Sequence, residues 1–325
     1  MSIYEPLWWW AALASLALVA AGGPFTIERL RRLKWGQAVR TDGPAAHRTK
    51  AGTPTMGGLL VTGVSAAVAL VVHPESSSAW IAALGMLVYG SIGFLDDYRK
   101  IRTGASTGLK AREKLAGQVL AAAVLAGAAY IYVPGSSQWL VPFTSQHLSI
   151  PLWLFLPAAI FIVVGAANAV NLTDGLDGLA SGTMAIGCLT LGLMALGLGQ
   201  DGVGVLALTV AGACAGFLWH NAYPASVFMG DTGSLALGAV FGLLGILSGN
   251  VLFLPIIGVV FVVETLSVIV QVAYFRWTGG KRLFLMAPIH HHFELAGWPE
   301  PKVMLRMWLL SVAGAVMAMA AIVWP

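Results

Sequence analysis

Charge is scarce in this chain: Asp, Glu, Lys and Arg make up 10% of its 325 residues, against about a quarter in soluble domains. That shortage, with 58% apolar residues and a mean hydropathy of +0.81, excludes a soluble globular protein and leaves a polytopic membrane protein. Cysteine is scarcer still. Cys188 and Cys214 are the only two, both inside apolar runs, so a disulfide framework and a thiolate metal site are excluded. Lys and Arg are missing from most of the length: all eighteen fall within Arg29–Lys50, Arg99–Lys114 and Arg276–Arg306. A formal charge of +4 would otherwise invite a nucleic-acid partner. Basic residues set between apolar runs belong instead to a cytoplasmic membrane surface, so no nucleic acid is expected.

What is present is hydrocarbon in measured lengths. A bilayer core takes about twenty apolar residues per helix, and runs near that size recur ten times. They lie at Leu7–Gly23, Met56–Val72, Ala79–Leu95, Leu115–Val133, Leu152–Asn171, Leu179–Leu198, Gly202–Trp219, Leu235–Leu247, Val251–Phe275 and Met307–Trp324, the eighth being short. The expected fold is an all-α polytopic integral membrane protein of ten transmembrane helices. It forms one domain over residues 1–325 with both termini on the outer face. With the N-terminus outside, every Lys and Arg falls in an inner loop, and the outer segments hold only Glu5, Glu75 and Asp201. Shifting the count by one helix scatters the basic residues over both faces.

Three smaller readings complete the organisation. Ala20–Gly23 has the small residues of a signal-peptide cleavage site, but the leading Met-Ser-Ile-Tyr-Glu-Pro carries no positive charge, so the first run is read as an uncleaved span. Trp8, Trp9, Trp10, Trp80, Trp153 and Trp324 at outer ends, with Trp219, Trp277 and Trp308 at inner ends, are expected as interfacial anchors. Pro134–Ile150, rich in turn residues, is expected as a small outer cap.

The chemistry lies in the inner loops. The first ends in His47–Gly58, where glycines and hydroxyls let backbone N–H groups approach an anion and Lys50 adds a point charge. The second opens with Asp96-Asp97-Tyr-Arg-Lys100, adjacent acids that need a cation or a lysine partner to ionise together. Arg99, Lys100, Arg112 and Lys114 can serve, so a purely structural network stays open. The third cluster holds Asn168, Asn171, Asp174 and Asp177, with glycines at 175 and 178 implying a turn. The fourth runs from His220 through Phe228-Met-Gly-Asp231 to Ser234. Each of the last two can be a simple helix cap. Together they present acids without a local Lys or Arg, which calls for a cation, and oxygen-only ligands suit Mg²⁺ held with substrate phosphates. The last loop carries His290-His291-His292, which cannot all point at one metal from a regular element and are read as phosphate contacts or substrate positioning ahead of a zinc site, a solvated loop staying open. Glu264 is the one charged residue inside an expected span, where it is expected to face a protein interior or a polar cavity, a purely structural role through Thr265, Ser267 or Gln271 staying open.

The strings His47–Gly58, Asp96–Lys100, Asn171–Asp177, Phe228–Ser234 and Ala287–His292 followed by Gly297–Pro301 resemble, in this order and over nearly the whole chain, the MraY family of phospho-N-acetylmuramoyl-pentapeptide transferases. The resemblance implies ten transmembrane helices, a homodimer, Mg²⁺ and an active site on the cytoplasmic face of the bacterial inner membrane. It also implies transfer of phospho-N-acetylmuramoyl-pentapeptide from UDP-N-acetylmuramoyl-pentapeptide to undecaprenyl phosphate, giving lipid I and UMP. The triple His separates this branch from relatives that use N-acetylglucosamine phosphate.

On this reading Asp96, Asp97 and Asp231 hold the metal, and Lys50, Lys100, Lys114, His290, His291 and His292 offset phosphate charge, with Thr53 and Asn168 in the substrate set. The resemblance puts the uridine near Asn171, Asp174, Gly175, Asp177, Asn221 and Phe228, and suggests Asp96 as base toward the lipid phosphate. A phosphate monoester is already mostly dianionic at neutral pH, so Asp96 as a positioning group and a covalent aspartyl-phosphate route both remain open. A transporter of a phosphorylated solute also fits ten helices, but it needs polar groups at mid-depth, where only Glu264 is expected.

Overall fold

A computed structural model describes residues 6–33, 35–36, 50, 52–104 and 107–322. The inner-loop residues His47, Arg48 and Thr49, and Trp324, lie outside the described residues. The described residues are mostly helical. Among the described residues nine helices are long and apolar enough to cross a membrane: α1 (Pro6–Arg32), α3 (Ser77–Thr103), α4 (Ala111–Tyr132), α5 (Leu152–Thr173), α6 (Leu179–Gly197), α7 (Asp201–Asn221), α8 (Gly230–Leu247), α10 (Val259–Trp277) and α12 (Glu300–Ala321). The second expected span is a shorter apolar helix, α2 (Gly58–Val72) of 15 residues, about 22 Å long at the α-helical rise.

The eighth run, short in sequence, is the centre of the bundle. Every residue of α8 from Thr232 to Leu247 is buried, with α3 and α5 packed along it. A helix buried all round shows no polar stripe, so its charged residue can sit only at an end, and Asp231 sits in its first turn. A second layer packs α7 against α1 and α6. Pro24 lies inside α1 and has no N–H to give the Ala20 carbonyl. His220 of α7 supplies the missing contact, Nε2 to Ala20 O at 2.8 Å, and its ring rests where a side chain on Gly23 would stand. The small residues at 20–23 are thus a helix-packing site inside a continuous helix.

The structure departs from the sequence reading at four places. The ninth span is not one helix: Val251–Phe253 is a 3₁₀ turn, Leu254–Ile257 a short helix (α9), and α10 begins only at Val259. Pro255 and Gly258 fall at this break, and both oppose a continuous helix. Within the expected cap, β1 (Gln138–Leu140) and β2 (His147–Ser149) form an antiparallel hairpin with Trp139 opposite Leu148, the one strand pair in an otherwise helical chain among the described residues. The triple His lies on a short helix, α11 (Ile289–Leu295), rather than a loop. Two expected anchors are packed against protein: Trp8 is buried among Leu196, Val205 and Leu208, and Trp308 is half-buried against Gly182. Trp10, Trp153, Trp219 and Trp277 remain exposed.

Candidate active site

The polar motifs converge on one cleft of about 1360 Å³. Its walls come from the C-terminal ends of α3, α5 and α7, the N-terminal ends of α4 and α8, and α11. These are all at one end of the bundle, which is what alternating helix directions require if separate loops are to share one site. Lys50, Asp96, Asp97, Lys100, Lys114, Asn171, Asp174, Gly175, Asp177, Asn221, Phe228, Asp231, His290 and His291 line it.

Each of the three central acids ties down a different segment. Asp96 Oδ1 accepts the Leu109 N–H at 2.8 Å, and its Oδ2 lies 2.6 Å from Lys100 Nζ. Asp97 Oδ2 accepts both the N–H and the hydroxyl of Thr232, at 2.9 and 2.8 Å. That satisfies an orphan donor in the first turn of α8 and leaves Oδ1, 3.7 Å from Lys100. Asp231 Oδ1 accepts from the Asn171 amide at 3.0 Å, and Oδ2 receives Lys114 at 2.6 Å and Lys100 at 3.1 Å. The backbone of Gly93 meets the Asp231 carbonyl so closely that a Cβ there has no room, and glycine at 93 is what lets α3 and α8 bring their acids together.

Asp96, Asp97 and Asp231 each present an oxygen within 4.8 Å of the others, an all-oxygen set suited to a hard divalent cation. Lys100 and Lys114 pair with these three acids, two positive charges set against three carboxylates, and Asp174 lies on the same wall. Burial, and then the charges of Asp231, Asp97 and Asp177, push the Asp174 carboxyl well above the usual carboxylate range.

Lys50 is held differently from the free point charge expected. Its Nζ bridges Asp177 Oδ1 at 2.7 Å and Glu300 Oε1 at 2.6 Å. Burial lowers its pKa, but the bonds to those two acids outweigh it and leave the ammonium above its ordinary value. Asp177 also accepts the Ala225 N–H at 2.9 Å, and its own N–H donates to Glu300 at 2.8 Å. Glu300, which sequence reasoning passed over except as part of a string, therefore joins the start of α12 to the segments of Lys50 and Asp177 beside the cleft. Asn221 is similarly engaged: its Oδ1 accepts the Ser181 hydroxyl at 2.8 Å and its Nδ2 donates to Val227 O at 3.0 Å.

Three of the expected substrate contacts do not reach the cleft wall. Thr53 is half-buried and gives its N–H to Lys50 O at 3.2 Å. Asn168 donates to Gln118 Oε1 at 2.7 Å and Val164 O at 2.8 Å. His292 turns away, accepting the Leu285 N–H at Nδ1, 3.1 Å. Glu264 faces none of the partners expected for its carboxylate. Its Oε2 lies 3.0 Å from His290 Nδ1, which brings it to the edge of the site.

Comparison with known proteins fits this arrangement. The Glycosyl transferase family 4 profile matches residues 79–249, and residues 50–60 match the phospho-N-acetylmuramoyl-pentapeptide-transferase signature 1. The chain is 46% identical to the phospho-N-acetylmuramoyl-pentapeptide-transferase of Desulforudis audaxviator, over 94% of this chain and 98% of the relative. The proteins of that name from Desulforamulus reducens and Clostridioides difficile are 46% and 44% identical, covering 93% and 96% of this chain and 92% and 97% of theirs. The chain belongs to the phospho-N-acetylmuramoyl-pentapeptide-transferase family. The signature stretch includes Gly57 and Gly58, whose N–H groups donate to Phe228 O at 2.9 Å and Met229 O at 3.0 Å. It thus seats the loop that leads into α8, one turn from Asp231, against the start of α2.

Proposed function

We propose that this chain transfers phospho-N-acetylmuramoyl-pentapeptide from UDP-N-acetylmuramoyl-pentapeptide to undecaprenyl phosphate, releasing UMP and forming lipid I. The setting is the cytoplasmic face of the bacterial inner membrane, and the enzyme works as a homodimer. The observation that carries the reading is the convergence of three carboxylates and two lysines in one cleft at a single end of an apolar bundle, in a chain of this family. A lipid phosphate must stay at the headgroup level while the sugar nucleotide arrives from the cytosol, so groups that handle phosphate belong at helix ends.

Phosphoryl transfer asks the protein mainly to align attacking and leaving oxygens and to neutralise charge. Asp96, Asp97 and Asp231 supply the oxygens that would hold Mg²⁺. The ion, when bound, screens the phosphate charge. Lys100 and Lys114, now shared among the acids, are placed to follow the phosphate oxygens as these enter. Phe228, half-buried on the cleft wall, offers a face to the uracil, and the Asp174–Gly175 turn offers polar groups beside it. Asn171 keeps Asp231 in register. Thr53, Asn168 and His292 support this wall from behind rather than touching substrate.

The decisive experiment combines the purified protein with UDP-N-acetylmuramoyl-pentapeptide, a polyprenyl phosphate and Mg²⁺ and follows UMP. Lipid-dependent UMP release is expected. Solute uptake into liposomes without UMP would replace the transferase by a transporter.

A further inference from the structure

Glu300 sits in the first turn of α12, where any acid complements the helix N-terminus. A solvent-facing carboxylate would serve that purpose. Glu300 is instead buried, at 7% exposure, and one oxygen carries two contacts: Oε1 accepts Lys50 Nζ at 2.6 Å and the Asp177 N–H at 2.8 Å. Asp177 by itself neutralises Lys50, through Oδ1 at 2.7 Å. Among the described residues no other Lys or Arg pairs with either acid, so a second buried carboxylate adds a desolvation cost that charge balance does not require. Its contribution is geometric. An ammonium on a flexible four-carbon stem swings about a single partner, whereas two acceptors from different segments fix it.

The backbone shows what Lys50 is fixed against. Lys50 O accepts the Thr53 N–H at 3.2 Å, and Pro54 O accepts the Phe228 N–H at 2.8 Å. Asp177 Oδ2 accepts the Ala225 N–H at 2.9 Å, and the chain runs on from Ala225 to Phe228. These contacts close a circuit that leads from the Lys50 ammonium through Asp177 and Ala225 to Phe228, and back through Pro54 to Lys50. Glu300 braces it from α12 at the junction of Lys50 and Asp177. Asp96, Asp97 and Asp231, which pair with Lys100 and Lys114, have no part in it.

We infer that Glu300 is a positioning residue that fixes the Lys50 ammonium beside Phe228, so that its third N–H meets an acceptor oxygen on the nucleoside part of a nucleotide. A lysine has three donors. Asp177 and Glu300 take two of them, and Lys50 and Phe228 both line the cleft. Asp177 is on the same argument a brace, since Oδ1 and Oδ2 are each engaged. A uracil stacked on Phe228 presents carbonyl oxygens at its edge, and a donor already held in place loses less on binding than one that must first be ordered. The nucleoside part of this inference rests on the function proposed above; the bracing of Lys50 does not.

Binding of UMP to the purified protein with Mg²⁺, measured by calorimetry, tests it by setting reach against charge. Glu300→Gln keeps an oxygen where Oε1 stands and loses the charge. Glu300→Asp keeps the charge and draws the oxygen back by one methylene, out of reach of one of its two donors. UMP affinity should stay within about threefold of wild type in Glu300→Gln and fall at least about tenfold in Glu300→Asp, the scale of one hydrogen bond to a charged group. In the UMP-release assay the Glu300→Asp loss should appear in KM for the sugar nucleotide, with kcat and the KM for polyprenyl phosphate within about threefold. The reverse order, with the aspartate variant intact and the glutamine variant impaired, would make Glu300 a charge and overturn the inference. Wild-type affinity in both variants would overturn it too, since a merely structural carboxylate changes melting and not KM; the nucleotide reading survives either result. If the variants follow the expected order while wild type makes no lipid I, the transferase reading fails and the inference stands. If wild type binds no UMP, both fail.

Discussion

Lys50 Nζ lies 2.7 Å from Asp177 Oδ1, a partner 127 residues away, and shares its charge with Glu300 at 2.6 Å. Two buried acids are therefore held together by one ammonium. Removing it leaves like charges facing each other with little water, and breaking such a buried pair typically costs about 3–5 kcal/mol. Lys50→Ala should lower the melting temperature by several degrees, and adding Glu300→Gln should restore part of the loss by removing one of the stranded charges. Equal melting of Lys50→Ala and wild type would show that the bridge is not formed in the membrane.

The same bridge sets a pH expectation. The Lys50 pKa is raised by its bonds to Asp177 and Glu300 against the effect of burial. A cation with a raised folded pKa contributes stability that is complete below its unfolded value and is lost only as pH rises through the folded one. The melting difference between wild type and Lys50→Ala should thus stay constant from pH 6 to about 9. A difference that vanishes within that interval would mean that another group titrates the contact.

Asp174 gives the opposite sign. Burial and three neighbouring carboxylates raise its pKa well above the ordinary value, so the unfolded chain ionises first and stability falls as pH rises from about 4 toward the folded pKa. Asp174→Asn should melt higher than wild type at neutral pH in ligand-free protein while losing at least about tenfold in kcat/KM, the scale of one hydrogen bond to a charged group. A lower melting temperature would show that Asp174 is stabilised as a carboxylate by a partner in the native membrane.

The cleft was legible in sequence because its residues come in short strings: Asp96-Asp97, Asn171–Asp177 and Phe228–Ser234 each sit at a helix end, and hydropathy marks the ends. Pairing across strings was not legible. Nothing in spacing connects Lys50 to Glu300, 250 residues on, or Glu264 to His290, and it was the apolar surroundings of Glu264 that suggested a local partner on its own helix. Asn168 was drawn into the substrate set by its i,i+3 relation to Asn171, which places two residues on one face but not at one depth. Asn168 meets Gln118 instead. The break at Gly258 was hidden because the residues on both sides are equally apolar, and hydropathy does not register backbone direction.

Metal dependence follows from the acids. EDTA should abolish UMP release and Mg²⁺ restore it. Asp231→Asn should lower kcat by at least about a hundredfold, the scale of one lost charge-stabilising group, without loss of folding. Undiminished turnover of that variant in EDTA would remove the ion from the reaction. Because Asp97 is committed to the first turn of α8 through Thr232 and Asp231 is ion-paired to Lys114 and Lys100, both asparagine variants should also lower melting without unfolding the protein.

Substrate choice is the prediction that separates this chain from the N-acetylglucosamine branch. His290 and His291 line the cleft, and α11 lies near Lys302 and Arg306, which both stand over the Trp298 ring, at 5.2 and 4.0 Å from its centroid. A sugar bearing a lactyl-peptide with carboxylates meets hydrogen-bonding and positive groups on that side. A plain N-acetylglucosamine phosphate does not extend to them. In competition, UDP-N-acetylmuramoyl-pentapeptide should be strongly preferred, and His291→Ala should reduce its kcat/KM by about 1–3 kcal/mol, the range for a hydrogen bond to a charged group. The same substitution should change turnover of UDP-N-acetylglucosamine far less, because that substrate gains nothing from the contact. Equal or better turnover of UDP-N-acetylglucosamine by wild type would reassign the sugar while leaving the cleft, its acids and the lipid phosphate in place.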